Sequence, residues 1–323
     1  MCGLAGIVIE EKKRTESEMS EIQNLTGELL SAAQVRGAHA SGMAIVDRDG
    51  AYLIHKRPMA AKVMVRTKEF NEAVDLIDKS TGAVICHTRY ATQGSPKVNR
   101  NNHPIRTGTV IGTHNGWVSN DDELFAKYDL KRFAEVDSEV LFRMIEKSET
   151  PETFFDDMLK NVSGKVSMVW ADVEKPEYVY IFKGNNPLEM VYIRRLGIIA
   201  YASTWEILID ALKWSGIGNG FERMEMKRWS VTRINTKTFK MKKTNDVKIR
   251  IPKPVSYHYG SNWNSGLHTR SIPFSAKSKK TANKGKYDGT IAGFVPRYTH
   301  QDTLATDGSV VKTVNFDKKK GSK

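Results

Sequence analysis

The apolar runs of this chain are short. Runs such as residues 82–86 and 197–202 fall far below the roughly 20 residues that cross a bilayer, so no membrane span is expected and the chain should fold as a globular body. With 323 residues and a hydrophobic fraction of 40%, it can bury a substantial core. Residues 4–9 read as a buried strand, and Met19, Ile22, Leu25, Leu29 and Ala33 then recur at helical spacing up to Arg36-Gly37. Strand-like runs at 41–46 and 51–55 flank Asp49-Gly50, a hairpin signal, and a short helix is expected around 70–77. Two apolar strands follow, 83–89 and 109–114, each ending in a cluster of polar residues, which is where chemistry would sit. Helices are expected at 137–145 and 152–159, strands at 165–171, 178–182, 190–194 and 198–202, a helix capped by Thr204 through Leu212, and further strands within 223–241. The pattern is α+β, sheets covered by helices.

After residue 243 the texture changes to Pro, Gly and Ser clusters and Lys-rich stretches, so a compact domain at 2–243 and a basic, partly disordered, low-periodicity extension at 244–323 are expected. The extension holds 15 Lys and Arg against 5 Asp and Glu, most of the formal net charge of +13. Lys277, Lys279, Lys280, Lys284 and Lys286 near Tyr257, Tyr259, Trp263 and Tyr287 admit a nucleic-acid contact, with basic groups on phosphates and rings on bases. A solvated extension that wraps its own domain or a partner is the favoured reading, because no base-reading motif is present. Two cysteines, Cys2 and Cys86, make no disulfide framework, and the start of the chain carries no basic leader, so a reducing, cytoplasmic setting is expected.

Cys2 follows Met1, a residue expected to be trimmed before so small a neighbour. An N-terminal cysteine supplies a thiol nucleophile and, in its free α-amine with an ordinary pKa of roughly 7.7 to 8.0, a base. Four further clusters appear in order: R-G-A-H-A-S-G at 36–42, H-T-R-Y-A-T-Q-G at 87–94, N-H-P at 102–104 with H-N-G at 114–116, and D-S-E at 137–139. Taken singly, Arg89 reads as a surface charge, Asn115-Gly116 as a hairpin turn and Asp137 as a helix N-cap. None of these explains the ordered set.

Together the clusters resemble the class II glutamine amidotransferases, N-terminal-nucleophile hydrolases, and most nearly the glutaminase domain of glucosamine-6-phosphate synthase. His39-Ala40 and Gln93 stand where that subfamily usually carries an aromatic-acidic pair and a histidine. The resemblance spans Cys2 to about Lys243 and implies a four-layer α-β-β-α sandwich, L-glutamine as substrate and no cofactor. It assigns attack to Cys2, oxyanion stabilisation to the Asn115 side chain and Gly116 amide, the glutamine α-carboxylate to Arg89 and its α-ammonium to Asp137. Tyr90, Thr92 and Gln93 would lie on a loop closing over glutamine, with His103 also in the substrate pocket. Arg36, Gly37, Ser41 and Gly42 would build the wall of the site.

Cys86, His87, His103 and His114 include zinc-ligand types, but their spacing fits no familiar zinc pattern, adjacent strand residues point to opposite faces, and no metal is expected. Nothing in the chain resembles a synthase that would consume ammonia, so a separate acceptor subunit is the expected partner. Two rivals remain from the sequence: a non-catalytic binding or assembly module on the same fold, and hydrolysis of another γ-glutamyl amide.

Overall fold

A computed structural model describes residues 1–244, so all of the expected basic extension except Thr244 lies outside the described residues, and with it the nucleic-acid reading. The elements run β1 (Gly3–Ile9), α1 (Glu16–Ala33), β2 (Ala40–Asp47), β3 (Tyr52–Arg57), α2 (Ala61–Met64), α3 (Lys68–Val74) and β4 (Thr81–Arg89). They continue with β5 (Ile105–Thr107), β6 (Val110–Val118), α4 (Asp121–Lys127), α5 (Ser138–Lys147), α6 (Pro151–Asn161), β7 (Gly164–Asp172) and β8 (Tyr178–Lys183). Last come β9 (Glu189–Ile193), β10 (Ile198–Ala202), α7 (Trp205–Trp214), β11 (Glu222–Met224), β12 (Ser230–Asn235) and β13 (Met241–Thr244). Among the described residues, no helix is long and apolar enough to cross a membrane.

The strands form two antiparallel sheets, ordered β11-β9-β10-β1-β4-β2-β3 and β13-β12-β8-β7-β6-β5. Each inner strand is covered on both faces, which is why β1 and β4 read as continuous apolar runs and are buried along their whole length. Along β1 the side chains alternate: Ala5, Ile7 and Ile9 pack with α1, α3 and α7, whereas Leu4 and Val8 pack against the second sheet. A third apolar cluster, around Phe142, Phe154 and Trp170, seals α4, α5 and α6 to the outer face of the second sheet. The result is the expected α-β-β-α stack.

Local signals place the helices. Thr15 caps α1 in a reciprocal box with Glu18, and Thr67, Thr150 and Thr204 each accept a backbone N–H of the first turn that would otherwise lack a partner. Pro151 sits at the first turn of α6, where its missing N–H costs nothing. The short α2, α4 and β5 were not anticipated, being too brief to show a period.

Two readings of residues taken singly do not hold. Asn115 and Gly116 do not form a hairpin turn; they lie inside β6, opposite Ser167 and Val166 of β7. The two-sheet core extends this strand past the polar cluster that was read as its end. Asp137 does precede α5, but its side chain caps no helix N–H and instead accepts from the Val118 backbone N–H at 2.6 Å. Its carboxylate is thereby tied to the far end of β6.

Candidate active site

Cys2 stands just ahead of β1, and the register places the following Gly3 opposite Thr88 near the end of β4. Arg89 closes β4, and the chain then turns into the 90–104 segment. Cys2 is partly buried, with Sγ 3.7 Å from the Tyr90 carbonyl. Arg36 donates from Nε to the Cys2 carbonyl at 2.7 Å, which fixes the backbone carrying the thiol. Gly37 packs against the backbone of Arg89 and Tyr90 so closely that a Cβ there would lie 2.4 Å from the Arg89 carbonyl carbon. Arg36 and Gly37 thus brace Cys2 and the turn after β4.

Burial pushes the Cys2 thiol above its ordinary pKa, opposed by the positive charges of the chain's amino terminus and of Arg89, while Asp137 pushes it further up. The Arg89 guanidinium is drawn down by burial and raised by Cys2, Asp137 and Glu135. Thiol, guanidinium and Asp137 carboxylate therefore share one electrostatic site. A buried thiol held mainly in its neutral form needs a nearby base to become a nucleophile.

Arg89 is 3% exposed and does not lie on the surface. It donates to Asn102 Oδ1 at 2.8 Å and to the carbonyls of Gln93 and Gly94 at 2.5 and 2.8 Å. The guanidinium shapes the loop that follows it as well as presenting charge to the site. On that loop Tyr90 is half exposed and stacks on His39, with ring centroids 5.0 Å apart, and His39 Nδ1 accepts from the Ala91 N–H. The Thr92 and Gln93 side chains are exposed.

On the facing sheet, Asn115 is buried and its carbonyl accepts from Asn186 Nδ2 at 2.6 Å, yet its own side-chain amide nitrogen has no partner. A buried amide donor without an acceptor costs on the order of 1–3 kcal/mol, so this nitrogen would gain from an acceptor brought to it by a ligand. Gly116 adopts φ of 148°, and a Cβ there would come within 2 Å of the Lys165 carbonyl, so only glycine leaves this stretch of β6 in place. His87 Nε2 lies 3.2 Å from the His114 carbonyl and joins the two sheets just ahead of Asn115.

The remaining expected residues are set farther back in the wall. Ser41 hydrogen-bonds the Met59 carbonyl at 2.9 Å, on the side of β2 covered by α2. Gly42 lies against the His103 carbonyl, and His103 is buried, stacked on His87 with centroids 4.2 Å apart, both ring nitrogens without a partner. Cys86 faces the helix-covered core, where burial pushes its thiol up to about 12, and His87 projects from the other face of β4. Among the described residues no group of His, Cys, Asp and Glu is arranged to hold a metal ion. Several side chains that hold the site were given no role in it from the sequence: Asn101, Glu135, Ser138 and Asn186, and His87, which was weighed only as a metal ligand. Asn186 stands in the Gly-Asn-Asn-Pro turn after β8, a turn signal that carried no hint of its contact.

The buried histidines make stability depend on acid. Burial lowers His87 to about 3 and His103 well below 6.5. Both take up a proton more readily in the unfolded chain, so stability is full above about pH 6.5 and is lost as pH falls toward the folded values. His87 alone contributes on the order of a few kcal/mol over that window. Urea unfolding from pH 7.5 to 4 should show a falling midpoint, and His87→Gln should flatten the fall by about one proton; an unchanged slope in that variant contradicts the assignment.

No family model matches the chain. Among curated proteins, 7-cyano-7-deazaguanine synthase 2 of Sulfurisphaera tokodaii is 26% identical over 210 residues, covering 63% of this chain and 43% of that protein. The isomerizing glutamine–fructose-6-phosphate aminotransferase of Oceanobacillus iheyensis is 30% identical over 197 residues, covering 58% of this chain and 30% of that one. The chain thus spans less than half the length of the curated relatives named here. Of solved structures, the glutamine phosphoribosylpyrophosphate amidotransferase from B. subtilis superposes with a TM-score of 0.56 at 19% identity, over 76% of this chain and 49% of its own. An allosteric regulatory enzyme of purine biosynthesis gives 0.59 at 18% identity, over 77% and 50%. At such identities the structural likeness speaks for the fold alone. Ordered motifs, the two-sheet sandwich and the sequence relatives are together consistent with a class II glutamine amidotransferase domain of the N-terminal-nucleophile hydrolase fold.

Proposed function

We propose that this chain hydrolyses L-glutamine to glutamate and ammonia through a thioester on Cys2, and that the ammonia passes to a separate acceptor enzyme. The observation that carries the reading is the electrostatic coupling of the Cys2 thiol to Arg89 and Asp137, and the buried, unpartnered Asn115 amide next to Gly116 on the facing sheet supports it. A domain kept only as a scaffold gains nothing from a desolvated donor without an acceptor.

With Met1 removed, the Cys2 α-amine takes the thiol proton and Sγ attacks the side-chain carbonyl carbon of glutamine. The oxyanion is held by Asn115 Nδ2 and the Gly116 N–H, preorganised donors in a site shielded from water. Collapse breaks the C–N bond, the α-amine returns its proton to the leaving nitrogen, and ammonia departs. Water then adds to the thioester by the same route, its proton passing through the α-amine to the thiolate as glutamate leaves. Arg89 binds the α-carboxylate and Asp137 the α-ammonium, so the site takes free glutamine rather than a glutamine within a peptide. Tyr90, Thr92 and Gln93 close over the substrate.

The matches with proteins named 7-cyano-7-deazaguanine synthase favour an acceptor in that chemistry, a deazaguanine base that carries a cyano nitrogen, over a sugar. The direct test uses protein whose N-terminus is verified as Cys2. Glutamate and ammonia should appear in equal amounts from glutamine, and a diazo-ketone analogue of glutamine should mark Cys2; an adduct on any other residue overturns the mechanism.

A further inference from the structure

The two groups proposed to read the ends of glutamine belong to different sheets. Arg89 ends β4 of the first sheet, and Asp137 is tied by Val118 to β6 of the second. Free glutamine has a fixed distance between its α-carboxylate and α-ammonium, so the spacing of these two groups must be held to a few tenths of an ångström for both to bind at once. Between β4 and β6 the sheets meet through side-chain packing and the buried His87–His114 contact, which do not by themselves set such a spacing between two loops.

Two consecutive asparagines supply the missing link. Asn102 accepts from Arg89 and donates to the Pro96 carbonyl at 2.7 Å, so it belongs to the Arg89 side. Asn101 is fully buried and turns the other way. Its Oδ1 accepts from the Glu135 backbone N–H at 2.9 Å and its Nδ2 donates to the Glu135 carboxylate at 2.8 Å, two bonds that clasp the segment two residues ahead of Asp137. Nδ2 also reaches the Ser95 carbonyl at 3.2 Å. Gly94, whose carbonyl accepts from Arg89, lies directly on the clasp: a Cβ there would stand 2.9 Å from Asn101 Nδ2 and 3.1 Å from Glu135 Cβ. Lys56 anchors the same segment from beneath by donating to the carbonyls of Asn102 and Pro104 at 2.7 and 3.0 Å. An unbroken path of short contacts therefore runs from Arg89 through Asn102, Asn101 and Glu135 to Asp137.

The geometry points to Asn101 as a specificity-determining positioning residue: its clasp on Glu135 sets the separation of Arg89 from Asp137 and so lets the site recognise the α-carboxylate and α-ammonium of one amino acid together. This rests on the proposed glutaminase reading. Asn101 touches no substrate, and its effect should appear only for a substrate that uses both ends.

The test compares L-glutamine with 4-carbamoylbutanoate, which is glutamine without its α-amine and so engages Arg89 alone. The wild-type protein should prefer glutamine by about 10- to 100-fold in kcat/KM, the cost of losing one charged hydrogen-bonded contact. Asn101→Asp places a carboxylate against that of Glu135 and should raise KM for glutamine about 10-fold with little change in kcat, while 4-carbamoylbutanoate stays within about twofold. Asn101→Asp combined with Glu135→Gln restores a donor to an acceptor across the clasp and should recover most of the loss. Glu135→Ala, at an exposed position, is the milder variant that keeps the comparison available if Asn101→Asp does not fold, with an expected loss of discrimination of about 2- to 5-fold. Equal losses on both substrates, or no recovery in the double variant, overturn the proposal. A wild-type protein that turns over glutamine but is indifferent to the α-amine overturns instead the pairing of Arg89 with Asp137, and the clasp's role with it.

Discussion

Cys2→Ala should lower glutamate release from glutamine by a factor of about 10⁴ or more, because the residue is proposed to supply the attacking sulfur and no other described group near it is a nucleophile of comparable strength. Cys86 cannot replace it: that thiol is fully buried on the helix-covered face, with its pKa pushed up to about 12. The substitution removes only Sγ, whose contact is a weak one to the Tyr90 carbonyl, so the unfolding midpoint should move little. Retaining Met1 on an otherwise native chain is the sharper companion experiment, since it leaves the thiol in place and removes the free α-amine. If the amine is the base, activity should fall about 10²- to 10⁴-fold. In the processed enzyme kcat/KM should rise with pH and level off above about pH 8, as the amine loses its proton. Full activity in the protein that keeps Met1 would falsify the N-terminal-nucleophile assignment.

Asn115→Ala should reduce kcat by about 100- to 1,000-fold while KM for glutamine changes little, because the amide is proposed to meet charge that exists only in the transition state. Its side-chain nitrogen has no partner in the folded protein, so the substitution breaks no existing hydrogen bond and removes a desolvated donor. Stability should therefore hold or rise slightly, an unusual result for truncating a buried polar residue. The carbonyl that anchors the position, accepting from Asn186, is backbone and survives. A loss confined to KM would move Asn115 from the oxyanion to substrate binding.

Much of the sandwich was legible along the chain because both sheets are covered on two faces. That forces strand-length apolar runs such as β1, β4 and β10, while Thr15, Thr67, Thr150 and Thr204 mark helix starts by local chemistry. The end of β6 was not legible: Asn115-Gly116 has turn-forming residues, and only pairing with β7 holds them extended. The cap reading of Asp137, taken singly, fails for a similar reason. Its sequence context is that of a cap, and its actual partner, the Val118 N–H, lies 19 residues away.

By itself the sequence determined the class of the fold and the kinds of group available, since apolar period and the ordered clusters around Cys2, Arg89, Asn115, Gly116 and Asp137 are local properties of the chain. Only the tertiary structure decided how those groups are held: Arg89 buried on Asn102 and its own loop carbonyls, Asn115 left with an unpartnered amide, and Asn101 clasped to Glu135 between two connecting segments. These contacts join residues on separate strands and loops. Their geometry comes from two packed sheets approaching each other, a constraint that no short stretch of chain can express.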